Sequence, residues 1–119
     1  MFRKLLTLAL IACCISCHYD VEEDLVVQNE CDVRNVSYSM DINPIVENRC
    51  LQCHAASLNL GGITLEGYNQ LKNQVDNGRL LGAVKREPGF SPMPQNESML
   101  PSCQVSKIEA WIEAGAPNN

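Results

Sequence analysis

Positive charge is scarce in this chain. After residue 4 the only adjacent basic pair is Lys85-Arg86, and the whole chain of 119 residues carries a formal net charge of -5. Nucleic acid demands several cationic contacts to its phosphates, so the sequence argues against it as a partner. No apolar run reaches the roughly 20 residues that cross a bilayer. No internal repeat and no strand-like alternation is present. Histidine occurs only at His18 and His54. A Ser-His-acid arrangement would need one of these two, and nothing around either resembles a catalytic site. Glu109 and Glu113 lie four apart on one helical face and read as solvated surface, so the chain is not read as an enzyme.

The beginning of the chain has the order that export machinery reads. Met1-Phe2-Arg3-Lys4 is positive, Leu5 to Ile15 is uncharged, and cysteines close the run. Residues 1–16 are therefore expected to be a signal peptide of the lipoprotein type, the alternative being a buried N-terminal helix. Both Leu10-Ile11-Ala12-Cys13 and Cys14-Ile15-Ser16-Cys17 resemble processing boxes. The reading favours lipid on Cys17, with Cys13 as the rival. Loss of Arg3 and Lys4 with the signal takes the net charge to -7. Residues 17–37, with Asp20, Glu22, Glu23 and Asp24, read as an acidic flexible tether. The expected location is the periplasm or cell surface, on a lipid anchor in a bacterial membrane.

Residues 38–119 suffice for one domain. Asp41 is expected to cap a first helix with Pro44 in its first turn, and Ile42, Ile45, Val46 and Arg49 follow helical spacing. Gly61-Gly62 breaks the chain. Tyr68, Leu71 and Val75 predict a short helix ended by Asn77-Gly78, and Leu80-Leu81 with Val84 predict another core-facing turn. Pro88 to Pro94 holds three prolines and reads as an irregular loop. A last helix is expected from about Ser102, with Ile108, Trp111 and Ile112 on one side, stopped by Gly115 and Pro117. The fold class expected is all-α.

The most specific pattern in the domain is Cys50-Leu51-Gln52-Cys53-His54. A C-x-x-C-H run is the attachment signal of a c-type haem: two thiols form thioethers to the vinyl groups, and the next residue offers an imidazole to iron. Three-residue spacing near a helix lets Cys50 and Cys53 face one side. Cys14-Ile15-Ser16-Cys17-His18 matches the same pattern, but it spans the signal and tether with no core around it, and is read as accidental. Met93, bracketed by Pro92 and Pro94, is the candidate second iron ligand. A thioether is a soft ligand that favours reduced iron and raises the potential. Met99 lacks the proline bracket, and Met40 precedes the first helix. A carbonyl should accept from the other ring nitrogen of His54, and Pro88 is one candidate. Tyr68 and Trp111 are expected in the core or at the haem edge.

Cysteine use fits this scheme in an oxidising compartment. Cys17 carries lipid, Cys50 and Cys53 carry haem, and Cys31 and Cys103 remain to pair if the first and last helices pack together. Two unpaired thiols is one alternative. Zinc held by Cys31, Cys50, Cys53 and Cys103 is another, and it leaves His54 and Met93 unexplained.

Taken together these segments resemble the class I cytochrome c family, and look most like small exported haem domains of the planctomycete and Bacteroidetes type. The resemblance runs over roughly residues 36–119 and is carried by Ser39 to Ile45, Cys50 to His54, Gly61 to Leu65, Tyr68 to Leu71, Gly78 to Leu80, Pro92 to Pro94 and Ile108 to Pro117. It implies a small fold of three to five helices around one covalent haem c. His54 would be the proximal ligand and Met93 the distal one. Cys31 and Cys103 lie outside the usual family pattern.

The function expected is outer-sphere electron transfer between a redox protein donor and acceptor, with both iron ligands retained. The rival classes are a haem module that binds or senses a small ligand, a non-redox structural or interaction domain, and a zinc-bound exported module.

Overall fold

The computed structural model describes residues 31–119. The expected signal peptide, the expected lipidation at Cys17, the Cys14–His18 match and residues 17–30 of the expected tether lie outside the described residues. The described unit runs from Cys31 to Asn119. It is helical, with no strand among the described residues.

A wide π-type turn, Tyr38–Ile42, leads into α1 (Asn43–Arg49), and α2 (Leu51–His54) follows after Cys50. A single 3-10 turn covers Leu60–Gly62. Then come α3 (Tyr68–Asp76), α4 (Arg79–Val84) and α5 (Ser102–Glu113). No membrane-crossing helix occurs among the described residues.

Asp41 does not cap the first helix. Ser37 does, its hydroxyl accepting from the Met40 amide at 3.0 Å. Asp41 sits one turn in and answers from the other side: its carboxylate accepts from the Ser37 amide at 3.0 Å. This is a capping box stretched by one residue, because the opening turn is wider than an α-turn. The same carboxylate receives Lys107 Nζ of α5 at 2.7 Å. Pro44 stands at the start of α1, where its missing N–H costs nothing.

Ile42, Leu71 and Trp111 are the fully buried side chains, with Ile45, Val46, Leu80, Val84, Leu100 and Ile108 around them. Tyr38 meets Tyr68 edge-on at 5.2 Å between ring centroids and lies 6.0 Å from Trp111. The polar ends of these rings are all used. Tyr68 donates to the Ala116 carbonyl at 2.9 Å, and the indole N–H to the Pro117 carbonyl at 2.9 Å. Tyr38 and Asn43 are linked at 3.2 Å.

The end of α5 explains how the tail reaches Trp111. The Gly115 amide donates to the Ile112 carbonyl at 2.9 Å and the Ala116 amide to the Trp111 carbonyl at 2.8 Å. That pair of bonds needs a left-handed residue just past the helix, and Gly115 supplies it at φ 91°.

The expected tether over residues 17–37 overlaps the described residues only at 31–37, and these are tied into the unit. Cys31 and Cys103 are disulfide-bonded with their Cα atoms 5.4 Å apart, and Val36 is buried in the core. Residues 31–37 therefore belong to the compact unit.

Candidate functional site

The segment Cys50 to His54 is placed by α1. The Cys50 amide donates to the Val46 carbonyl at 2.8 Å, so the chain enters α2 in helical register. The His54 amide then donates to the Cys50 carbonyl at 2.9 Å. Both cysteines are free thiols, Cys50 half-buried and Cys53 exposed. Burial pushes the Cys50 thiol up to about 11, against a smaller opposing pull from Arg49. It is therefore a neutral thiol at neutral pH, compatible with apolar surroundings.

His54 is held from both sides by the strand-like segment after Gly61-Gly62. Its Nδ1 lies 3.0 Å from the Ile63 carbonyl oxygen. A carbonyl only accepts, so Nδ1 carries the hydrogen and Nε2 is the ring nitrogen left to meet a ligand. The His54 carbonyl in turn accepts from the Leu65 amide at 2.9 Å and the Thr64 hydroxyl at 3.3 Å. The carbonyl that orients the ring belongs to Ile63 and not to Pro88. The glycine pair turns the chain back, so a residue nine further on meets the ring.

Met93 reaches the same region from the other side of the sequence. Its amide donates to the Ala83 carbonyl of α4 at 3.1 Å. The loop beyond it is tied by Arg86 Nη2, which donates to the Glu97 carbonyl at 2.6 Å, and by Arg49 Nη2, 3.4 Å from the Glu97 carboxylate. Lys85 pairs with Glu109 of α5 at 2.6 Å. The basic pair at 85 and 86 is thus engaged within the unit.

Cys50, Cys53, His54 and Met93 all line one cavity of about 550 Å³. That volume falls within the usual span of cofactor and ligand sites, about 300–1,000 Å³. Ile63, Leu65, Leu80, Val84, Phe90 and Leu100 contribute apolar wall. Of Met40, Met93 and Met99, only Met93 lines it; Met40 is 80% exposed and Met99 47%. Tyr68 and Trp111 do not line the cavity and belong to the aromatic core. Arg49 is read from sequence only as a helix position and Arg79 only within the Gly78–Leu80 segment, and Gln74 is not named; all three line the cavity. The buried Arg49 Nε and Gln74 Oε1 have no hydrogen-bond partner in the protein. Nothing in the local sequence signals Gln74 or Arg79, since each reaches the cavity from a helix distant in the chain.

The four-cysteine zinc arrangement is not assembled: Cys31 and Cys103 bond each other, and no group of three or more His, Cys, Asp or Glu side chains gathers among the described residues. What the cavity collects is two thiols, one imidazole and one thioether. That donor set suits a soft, covalently anchored iron macrocycle.

No protein-family model, curated protein or solved structure matches this chain.

Proposed function

We propose that this protein is a mono-haem c-type electron carrier of the class I cytochrome c type, exported and lipid-anchored through Cys17. The observation that carries the reading is the convergence of Cys50, Cys53, His54 and Met93 on one cavity of about 550 Å³. Cys50 and Cys53 would hold the haem covalently. His54 Nε2 and the Met93 sulfur would be the groups that hold the iron. When bound, the haem supplies reversible one-electron chemistry at iron.

The chain's own residues would do the rest. The Ile63 carbonyl orients the His54 ring through Nδ1, leaving Nε2 to face the cavity. Apolar wall from Leu65, Leu80, Val84 and Leu100 would lower the polarity around the bound group. Arg49 and Arg79 offer cationic partners for the anionic carboxylates of the group. Retention of both ligands keeps the rearrangement on electron transfer small. The redox donor and acceptor are proteins. With no substrate turned over, the protein acts as a carrier and not as an enzyme.

The test is production of the full chain in a host able to attach c-type haem, followed by haem analysis of the denatured protein. One covalent haem per chain, with a low-spin reduced spectrum that Met93→Ala abolishes, is the expected result. Absence of covalent haem overturns the reading. Two haems per chain would mean that Cys14–His18 is a real site. A reduced spectrum indifferent to Met93→Ala would favour a haem module open to small ligands.

A further inference from the structure

We infer that Gly82 and Phe90 form the seat that positions Met93, so that the axial thioether is set by a contact on α4 that neither residue's own chemistry would suggest. The inference rests on the haem reading above and adds to it two positioning residues.

Gly82 lies buried in the middle of α4, between Leu80 and Val84, which are buried in the core. A glycine in a helix interior costs about 1 kcal/mol against alanine, so its presence calls for a packing reason. The reason is Phe90. A Cβ at position 82 would lie 2.5 Å from Phe90 Cδ2 and 2.6 Å from both Cε2 and Cγ. The ring therefore rests directly on the glycine backbone. Because Cγ, the root of the ring, is among the touching atoms, turning the ring about its own axis does not relieve the clash. The side chain as a whole would have to shift off the glycine, and Phe90, 37% exposed, has solvent on its other side to move into.

Phe90 is bound to Met93 through a short closed circuit. The Glu87 amide donates to the Gly82 carbonyl at 2.9 Å, and the Phe90 amide to the Glu87 carbonyl at 3.2 Å. The next helical carbonyl, Ala83, accepts from the Met93 amide at 3.1 Å. The loop thus leaves α4, folds back, and is fastened to consecutive residues of the helix it left. Pro92 and Pro94 stiffen the backbone on either side of Met93 and cannot donate, so the Met93 amide is the one local N–H available to fix it. Phe90 and Met93 both line the cavity. Expelling the ring from Gly82 pulls on the same few residues that hold the thioether.

The experiment compares haem-loaded full-length wild type with Gly82→Ala and Phe90→Ala, using Met93→Ala as the reference for complete loss. Three quantities are read: covalent haem per denatured chain, the methionine-to-iron charge-transfer band of the ferric protein, and the affinity for added imidazole. The expected result is unchanged covalent haem, a lost or weakened band, and imidazole affinity raised at least about tenfold toward the Met93→Ala value, since added ligand competes with the thioether for one position. A merely structural role would lower the melting temperature and leave the band intact below it.

Loaded wild type with both variants retaining the band and wild-type imidazole affinity overturns this inference and leaves the haem reading standing. Wild type without covalent haem overturns the haem reading and this inference with it; covalent haem with a band indifferent to Met93→Ala overturns Met93 ligation and this inference and leaves the haem attachment standing. If Gly82→Ala does not fold, Phe90→Ala decides by the same criteria.

Discussion

Around Trp111, the indole N–H and the tyrosine hydroxyls have protein partners and the rings pack on one another; around His54, apolar and polar groups face a cavity of about 550 Å³. The first region joins the opening turn, α3, α5 and the C-terminal segment. The second is made of α2, the 63–65 segment, α4 and the loop from 85 to 100. In the first, side chains fill the space between elements. In the second, the order comes from backbone bonds: His54 to Leu65, Ala83 to Met93, Gly82 to Glu87. One region is a core completed by its own sequence, and the other is a frame around a space. A small helical unit built this way can tolerate a large prosthetic group without giving up its own nucleus of packing.

The largest effect expected from breaking this contrast is on the second region. On the proposed haem reading, Cys50→Ser/Cys53→Ser should abolish covalent haem outright in a host that attaches it, which gel haem staining after denaturation would read. Amide exchange should then accelerate in residues 55–67 and 85–100 while α5 keeps its protection. Equal loss of protection in α5 would show that the two regions are one cooperative unit and dissolve the comparison.

Next in size is Trp111→Ala. The side chain is fully buried, and truncation of a buried tryptophan costs about 3–5 kcal/mol. Denaturant unfolding should show this loss in protein with and without haem alike. Reduction of the disulfide, or Cys31→Ser/Cys103→Ser, should follow at about 4 kcal/mol as the chain-entropy ceiling for a crosslink of this span. The separation is 72 residues, so the bridge restrains nearly the whole described unit. A loss confined to exchange rates near residues 31–37 would instead make it a local staple.

How far the sequence could be read follows the same division. Tyr68, Leu71 and Val75 sit at local helical spacing, and α3 lies where that spacing puts it. Gly115 and Pro117 mark the end of α5 as read. Cys50 and Cys53 share a cavity wall with His54 because Cys50 stands at the N-cap of the short helix that carries Cys53 and His54. What stayed hidden depends on chain returns. Ile63 meets His54 only because of the turn between them, and Phe90 finds Gly82 only after the proline loop doubles back. Asp41 was misplaced for a subtler reason. Its type suits a cap, but the capping hydroxyl four residues earlier and the wide opening turn put the carboxylate inside the helix.

Asp41 gives the smallest of these effects and a pH signature that the others lack. The hydrogen bond from Lys107, then that from the Ser37 amide, holds its carboxyl below the ordinary carboxylate value. A lowered folded pKa means that the stabilisation is complete above the unfolded value, about 3.9, and disappears as pH falls through the folded value. Asp41→Asn should therefore cost about 1 kcal/mol at neutral pH, in the range of a partly exposed ion pair. The deficit should shrink on acidification until variant and wild type unfold alike once both are uncharged at position 41. Because Asp41 joins the opening turn to α5, its loss should loosen the aromatic region and leave the His54–Ile63 and Met93–Ala83 bonds in place. A pH-independent deficit would mean that the asparagine disturbs the cap of Ser37 and not the pair with Lys107.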